Sequence, residues 1–152
     1  VAKELPSILE KFHQKRPETK AEVYRGLEGM KAVWDDMLRS KTIYWIGAGR
    51  YMPKKYPNYF NQWNKKRLAE KIRIYNLLRH EIKKGIIPYP LELIKFLPEE
   101  FSGSPTVIGI YGDKVVNFLF GENLFAFVIE SKELAESYRR YHKYLWEKVA
   151  KS

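Results

Sequence analysis

Thr42-Ile43-Tyr44-Trp45-Ile46, closed by Gly47-Ala48-Gly49 and followed by Arg50, is the stretch on which the fold of this 152-residue chain turns. Five β-branched or aromatic residues in a row read as a buried strand, and the two glycines stop it. On its N-terminal side Leu27, Met30, Val33, Trp34, Met37 and Leu38 make one apolar stripe, so residues 27–39 are predicted to form a helix laid on a sheet. Before that helix, Ala21 to Arg25 reads as another strand, closed by Gly26. Strand, helix, strand is a crossover unit, and its two strands are expected to lie side by side and parallel.

On the C-terminal side, Tyr56, Tyr59, Phe60, Trp63, Arg67 and Leu68 have helical spacing, which predicts a second helix from Pro53 to Lys71 with Pro57 in its first turns. A third strand is expected over 72–78, then a loop with Gly85, Pro88 and Pro90. Four further strands are expected over 91–97, 106–111, 115–120 and 124–130. Ser131 is a good N-cap for a last helix, with Glu133 and Glu136 near its start and Lys148 and Lys151 near its end. The result is an α/β domain: a mixed sheet of about seven strands flanked by helices. At the other terminus Leu5, Ile8, Leu9 and Phe12 have amphipathic spacing, so 1–17 is expected to be a helix. The chain opens on Val1, and that helix is already under way, as in a piece of a longer protein.

Composition narrows the function. The chain carries 28 Lys and Arg against 18 Asp and Glu, a net charge of +10, and no Cys. A thiolate metal site, a disulfide framework and a cysteine nucleophile are therefore excluded. With 45% hydrophobic residues it can bury a core, and no apolar run is long enough to span a bilayer or serve as a secretory signal, so no membrane partner is expected and the location is read as cytoplasmic. Residues 50–84 hold eleven basic and two acidic side chains, a local charge of +9 that accounts for nearly the whole imbalance. Such a segment suits a surface facing phosphate, carboxylate or anionic lipid. It equally suits a solvated helix face in a charge-rich protein.

Few residues could carry chemistry. His13, His80 and His142 are far apart, none follows a serine elbow, and no cluster has metal-ligand spacing, so no cofactor is expected. Gly47-Ala48-Gly49-Arg50 lies where an open sheet binds ligands, past a strand end, and a helix start there favours an anion. It is not a dinucleotide fingerprint: the third glycine is missing, and Lys71 to Ile74 stand where an acidic residue belongs. The mixture of Tyr51, Tyr56, Tyr59, Phe60 and Trp63 with Lys54, Lys55, Lys65, Lys66 and Arg67 could stack bases and neutralise phosphates. At helical spacing it reads as aromatics inward and lysines outward.

A set of dispersed motifs goes further. Val23-Tyr24 with Gly26 and Glu28-Gly29, Gly47-Ala48-Gly49, Leu97-Pro98-Glu99-Glu100-Phe101, Tyr111-Gly112-Asp113-Lys114-Val115, Val128-Ile129-Glu130-Ser131-Lys132-Glu133 with Ala135 and Tyr138, and Leu145-Trp146 follow one another from about residue 20 to 150. In this order and spacing the chain resembles the C-terminal effector domain of archaeal TrmB-type transcriptional regulators, which has a phospholipase D-like fold. The resemblance implies that 18–152 are an effector and dimerisation domain, that 1–17 are a linker helix, and that a winged helix-turn-helix module, which this chain lacks, contacts DNA. One departure is Lys71, where relatives tend to carry glycine before the third strand.

The resemblance also tests for catalysis. Phospholipase D chemistry uses His-x-Lys-x4-Asp, His as nucleophile and Lys on phosphate. Placing the aspartate at Gly112 puts His and Lys at Pro105 and Val107, and placing it at Asp113 puts them at Thr106 and Ile108; the Gly-Ser that follows falls at Leu119-Phe120. Neither register supplies a nucleophile, so the chain is expected not to be an enzyme and to reuse the fold for binding and homodimerisation. A small effector such as a sugar is expected at Gly47, Gly49, Arg50, Asn76 and Asp113. The alternative is a nonspecific, chromatin-like nucleic-acid contact through Lys54, Lys55, Lys65, Lys66 and Arg67.

Overall fold

A computed structural model describes residues 19–101 and 106–152; the helix expected over 1–17 lies outside them, as does Pro105. The strands are β1 (Lys20–Arg25), β2 (Thr42–Ala48), β3 (Arg73–Leu78), β4 (Glu92–Phe96), β5 (Thr106–Tyr111), β6 (Lys114–Phe120) and β7 (Leu124–Glu130). The helices are α1 (Gly26–Met37), α2 (Tyr51–Lys55), α3 (Pro57–Ala69) and α4 (Lys132–Tyr144). The seven strands form one mixed sheet in the order β1-β7-β6-β5-β2-β3-β4, the expected class.

Two expectations need correction. The helix read over 53–71 is broken at Tyr56, whose backbone leaves the helical region, because Pro57 cannot donate the hydrogen bond that would continue α2 and instead opens α3. The crossover from β1 to β2 does not make neighbours. β1 pairs with β7, and three antiparallel strands separate it from β2, so the two point the same way without touching. The adjacent parallel pairs are β2 with β3 and β3 with β4.

Alternation along the strands builds a core on each face. On the first, α1 and α3 cover Ile43, Trp45, Ile74, Val107, Phe118 and Val128, and the centre is aromatic. Trp34 lies 4.7 Å from Trp63, 5.3 Å from Trp45 and 6.2 Å from Phe60 between ring centres. The Trp63 Nε1–H donates to the Trp34 carbonyl at 2.6 Å, which locks α3 against α1. Gly109 of β5 admits this packing: a Cβ there would stand 3.0 to 3.2 Å from Val116, Trp45 and Met37.

On the second face α4 covers Ile110, Val115, Tyr44, Ile46 and Ile108. Its first turn is capped as expected, Ser131 Oγ accepting from the Leu134 N–H at 3.3 Å. Its end widens into a π-turn over Leu145–Val149, and Lys151 then pairs with Phe96 at the β4 edge. Lys71 adopts φ +55, the left-handed region that favours glycine, which accounts physically for the glycine expected there.

His142 on α4 is buried, its Nε2–H donating to the Tyr75 carbonyl at 3.1 Å and its ring stacked 5.7 Å from Trp146. Burial disfavours the imidazolium and holds its pKa down at about 4, against the opposing pull of backbone carbonyls. Below about pH 6.5 the unfolded chain therefore takes up a proton that the folded chain refuses, so stability is full above that pH and falls as the pH drops toward 4. Between those limits the protein should lose about 3 kcal/mol more stability than the His142→Gln variant, read by urea unfolding at each pH.

Candidate functional site

The glycine turn after β2 leads the chain to Arg50, which is held at φ +60. That left-handed backbone costs about 1 kcal/mol and turns the side chain back along the sheet. There Arg50 meets Glu92 at the start of β4, Nη1 donating to Oε2 at 2.7 Å and Nη2 to Oε1 at 2.6 Å. The Glu92 carboxylate also accepts from Asn76 Nδ2 at 3.0 Å and from the Tyr89 backbone N–H at 3.0 Å. Its side chain is 1% exposed and that of Arg50 12%. Four donors on two oxygens are what a buried carboxylate needs to offset desolvation. The Tyr89 ring closes the group, 4.2 Å from the Arg50 guanidinium.

Beside this network is a cavity of about 50 Å³, walled by Trp34, Trp45, Phe60, Trp63, Val107 and Phe120 and reached by Asn76, Glu92 and Arg50. It has room for a few water molecules. Its wall is rich in aromatic rings, and Asn76, Glu92 and Arg50 are the polar groups that an effector would meet there. Two buried side-chain polar atoms of the described residues lack a partner, Asn76 Oδ1 and Trp34 Nε1, and both residues line this cavity.

Of the expected ligand residues, Gly49, Arg50 and Asn76 come together. Gly47 stands just outside, its left-handed turn (φ +82) aiming a carbonyl that accepts from Arg79 Nε at 2.7 Å. Asp113 is not part of the site. It lies in the β5–β6 turn, beside Tyr111, which pairs with Ile43 at the start of β2, whereas the cavity gathers around the strand's other end. An antiparallel neighbour carries its turn to the wrong end of the sheet.

Arg67 is a second correction. It is completely buried, donating at 2.8 Å each to the carbonyls of Ile72 and Pro90 and to Asn64 Oδ1, and cannot reach a nucleic acid. Burial lowers its pKa, with the nearby Glu92 charge opposing that shift. Lys54, Lys55, Lys65 and Lys66 are exposed on α2 and α3, while Phe60 and Trp63 face inward, as the helical spacing predicts.

Glu92, the hub of the site, was not among the expected residues. Its signal is a carboxylate on the inward face of an alternating strand, in phase with Ile94 and Phe96. Of the positions where the phospholipase D motif would stand, Val107 forms a cavity wall, Ile108 packs under α4, and Phe120 rests 4.2 Å from Tyr51. Among the described residues no three His, Cys, Asp or Glu side chains gather as a metal site would require, and no helix is long and apolar enough to cross a membrane.

Removing one partner of the Arg50–Glu92 pair strands the other charge. Glu92→Leu should cost about 3–5 kcal/mol in urea unfolding, and adding Arg50→Met should recover a large part of it. An unchanged midpoint in the single variant would show that the pair does not form in solution.

No family model matches the chain, and no curated protein matches it by sequence. Solved structures do. NucT from Helicobacter pylori superposes with a TM-score of 0.62 at 10% identity, covering 89% of this chain and 100% of its own. TrmBL2, an archaeal chromatin protein, gives 0.57 at 15% identity over 99% of this chain and 62% of its own, so this chain spans about three-fifths of that protein. Nuc from Salmonella typhimurium, a phospholipase D family member, gives 0.53 at 15% identity over 89% of this chain and 99% of its own. At such identities the likeness establishes the phospholipase D-like fold.

Proposed function

We propose that this domain is a non-catalytic, effector-binding and dimerising part of a DNA-binding transcriptional regulator. The observation that carries the reading is the content of β5 and β6 where the phosphate-holding lysine and the serine of a phosphodiesterase motif would stand. Val107 and Phe120 stand there as walls of an aromatic cavity, and Arg50, the arginine lining it among the described residues, is ion-paired with Glu92. Val107 and Phe120 offer a phosphoryl oxygen neither an ammonium nor a hydroxyl at those positions, yet the cavity is concave, mostly apolar and carries a few convergent polar groups, as ligand sites do. TrmBL2 shows a novel mode of DNA binding, and this chain covers only part of that protein. A DNA-binding module elsewhere in the polypeptide is consistent with that share.

Incubation with bis(p-nitrophenyl) phosphate should release no nitrophenol above the buffer rate. Light scattering should give twice the 18.1 kDa chain mass. Turnover lost in a variant of the cavity wall, or a monomer at all concentrations, would sink the reading.

The four exposed lysines of α2 and α3 favour a second reading, direct nonspecific contact with DNA. On that reading the chain alone retards duplex DNA, and the Lys54, Lys55, Lys65 and Lys66 to Glu variant flattens the dependence of log K on log salt by about 3–4. Unshifted DNA at low salt would eliminate it.

A further inference from the structure

We propose that the cavity under Arg50 takes the primary carboxamide head of a small neutral ligand, whose substituent leaves past the partly exposed Tyr51 and Phe120. The inference rests on the effector-binding reading and specifies its chemical class. It begins from the two buried atoms that the fold leaves unpaired. Trp34 Nε1–H can only donate, and Asn76 Oδ1 can only accept. The orientation of the Asn76 amide is not free, because its Nδ2 faces the Glu92 carboxylate, which accepts. One donor and one acceptor, buried beside a common cavity, ask for a guest with one acceptor and one donor.

Charge removes most other guests. An anion would meet the Glu92 carboxylate beside an Arg50 whose charge that carboxylate already balances, so the pair offers it no net positive charge. A cation would find Glu92 already accepting four hydrogen bonds. A sugar would bring several hydroxyls into a wall of Trp34, Trp45, Phe60, Trp63 and Phe120, where all but two would lose their water without replacement. A primary carboxamide is neutral and flat, its oxygen accepts and its nitrogen donates, and its three heavy atoms suit about 50 Å³. Its plane can lie against indole rings, as apolar walls with a few fixed polar groups favour.

Benzamide is the probe, added to the 152-residue chain and followed by tryptophan fluorescence, since Trp34, Trp45 and Trp63 line the cavity. Saturable quenching is expected with benzamide, and at least tenfold weaker quenching with benzoate, N,N-dimethylbenzamide or toluene, each of which lacks the charge state or a donor. Trp34→Phe keeps the wall but removes the N–H and should weaken benzamide about tenfold. Asn76→Leu should abolish binding; both variants are checked for an unchanged unfolding midpoint or, failing that, for retained near-ultraviolet dichroism. Equal binding of toluene, or a Trp34→Phe affinity equal to that of the unmodified chain, overturns the proposal and leaves enclosed water as the partner of the two atoms. The effector reading fails separately: benzamide that binds but leaves dimerisation and DNA affinity of the regulator unchanged keeps the site and removes its regulatory role.

Discussion

The carboxylate of Glu92 is the constraint on which the parallel half of this sheet depends. Its partners come from three places: Arg50 from the turn after β2, Asn76 from the middle of β3, and the Tyr89 amide from the segment entering β4. Parallel strands are ordinarily joined by a crossover helix that covers the face, and between β3 and β4 only a single 3-10 turn over His80–Ile82 is present. Buried side chains do that work instead. Glu92 holds the Tyr89 backbone, and Arg67, reaching from α3, holds the Pro90 carbonyl. Two left-handed residues, Arg50 and Leu91, flank the carboxylate on either side, strain that persists where the surroundings over-determine the backbone.

The same arrangement changes the meaning of the basic middle segment. Of its eleven cationic side chains, Arg67 is wholly internal and Arg50 nearly so, each absorbed by the fold. Arg79 is half-buried against the Gly47 carbonyl. What faces solvent is mainly lysine, consistent with the planar guanidinium being the cation that tolerates burial, because its fixed donors can all be satisfied by carbonyls and carboxylates. A local charge of +9 therefore overstates the field available to a partner.

Strand and helix positions were legible because they rest on local periodicity. The stripe of Met30, Val33, Trp34 and Met37 faces the core as its spacing requires, and all seven strands fall where β-branched and aromatic runs place them. The break at Tyr56 was overlooked although Pro57 signals it, since one proline fits equally an early helical turn and a new start. Arg67 was placed among the alternative nucleic-acid contacts for its charge, although its position in the helical stripe, four residues after Trp63, sets it on the buried face. Glu92 was readable as a misplaced charge, but nothing in its own strand tells that the compensating cation lies 42 residues earlier.

Taken by itself, the amino-acid order determined the elements and the α/β class, because each follows from residues close together in the chain. Tertiary structure alone decided which strands are neighbours, that β1 and β2 are parted by three others, that Asp113 lies at the far end of the sheet, and that Asn76 and Trp34, each with an unpaired buried atom, line one cavity. The physical reason is that pairing between distant strands and the satisfaction of buried polar groups are settled by packing of the whole chain, where local propensity carries no information about the partner.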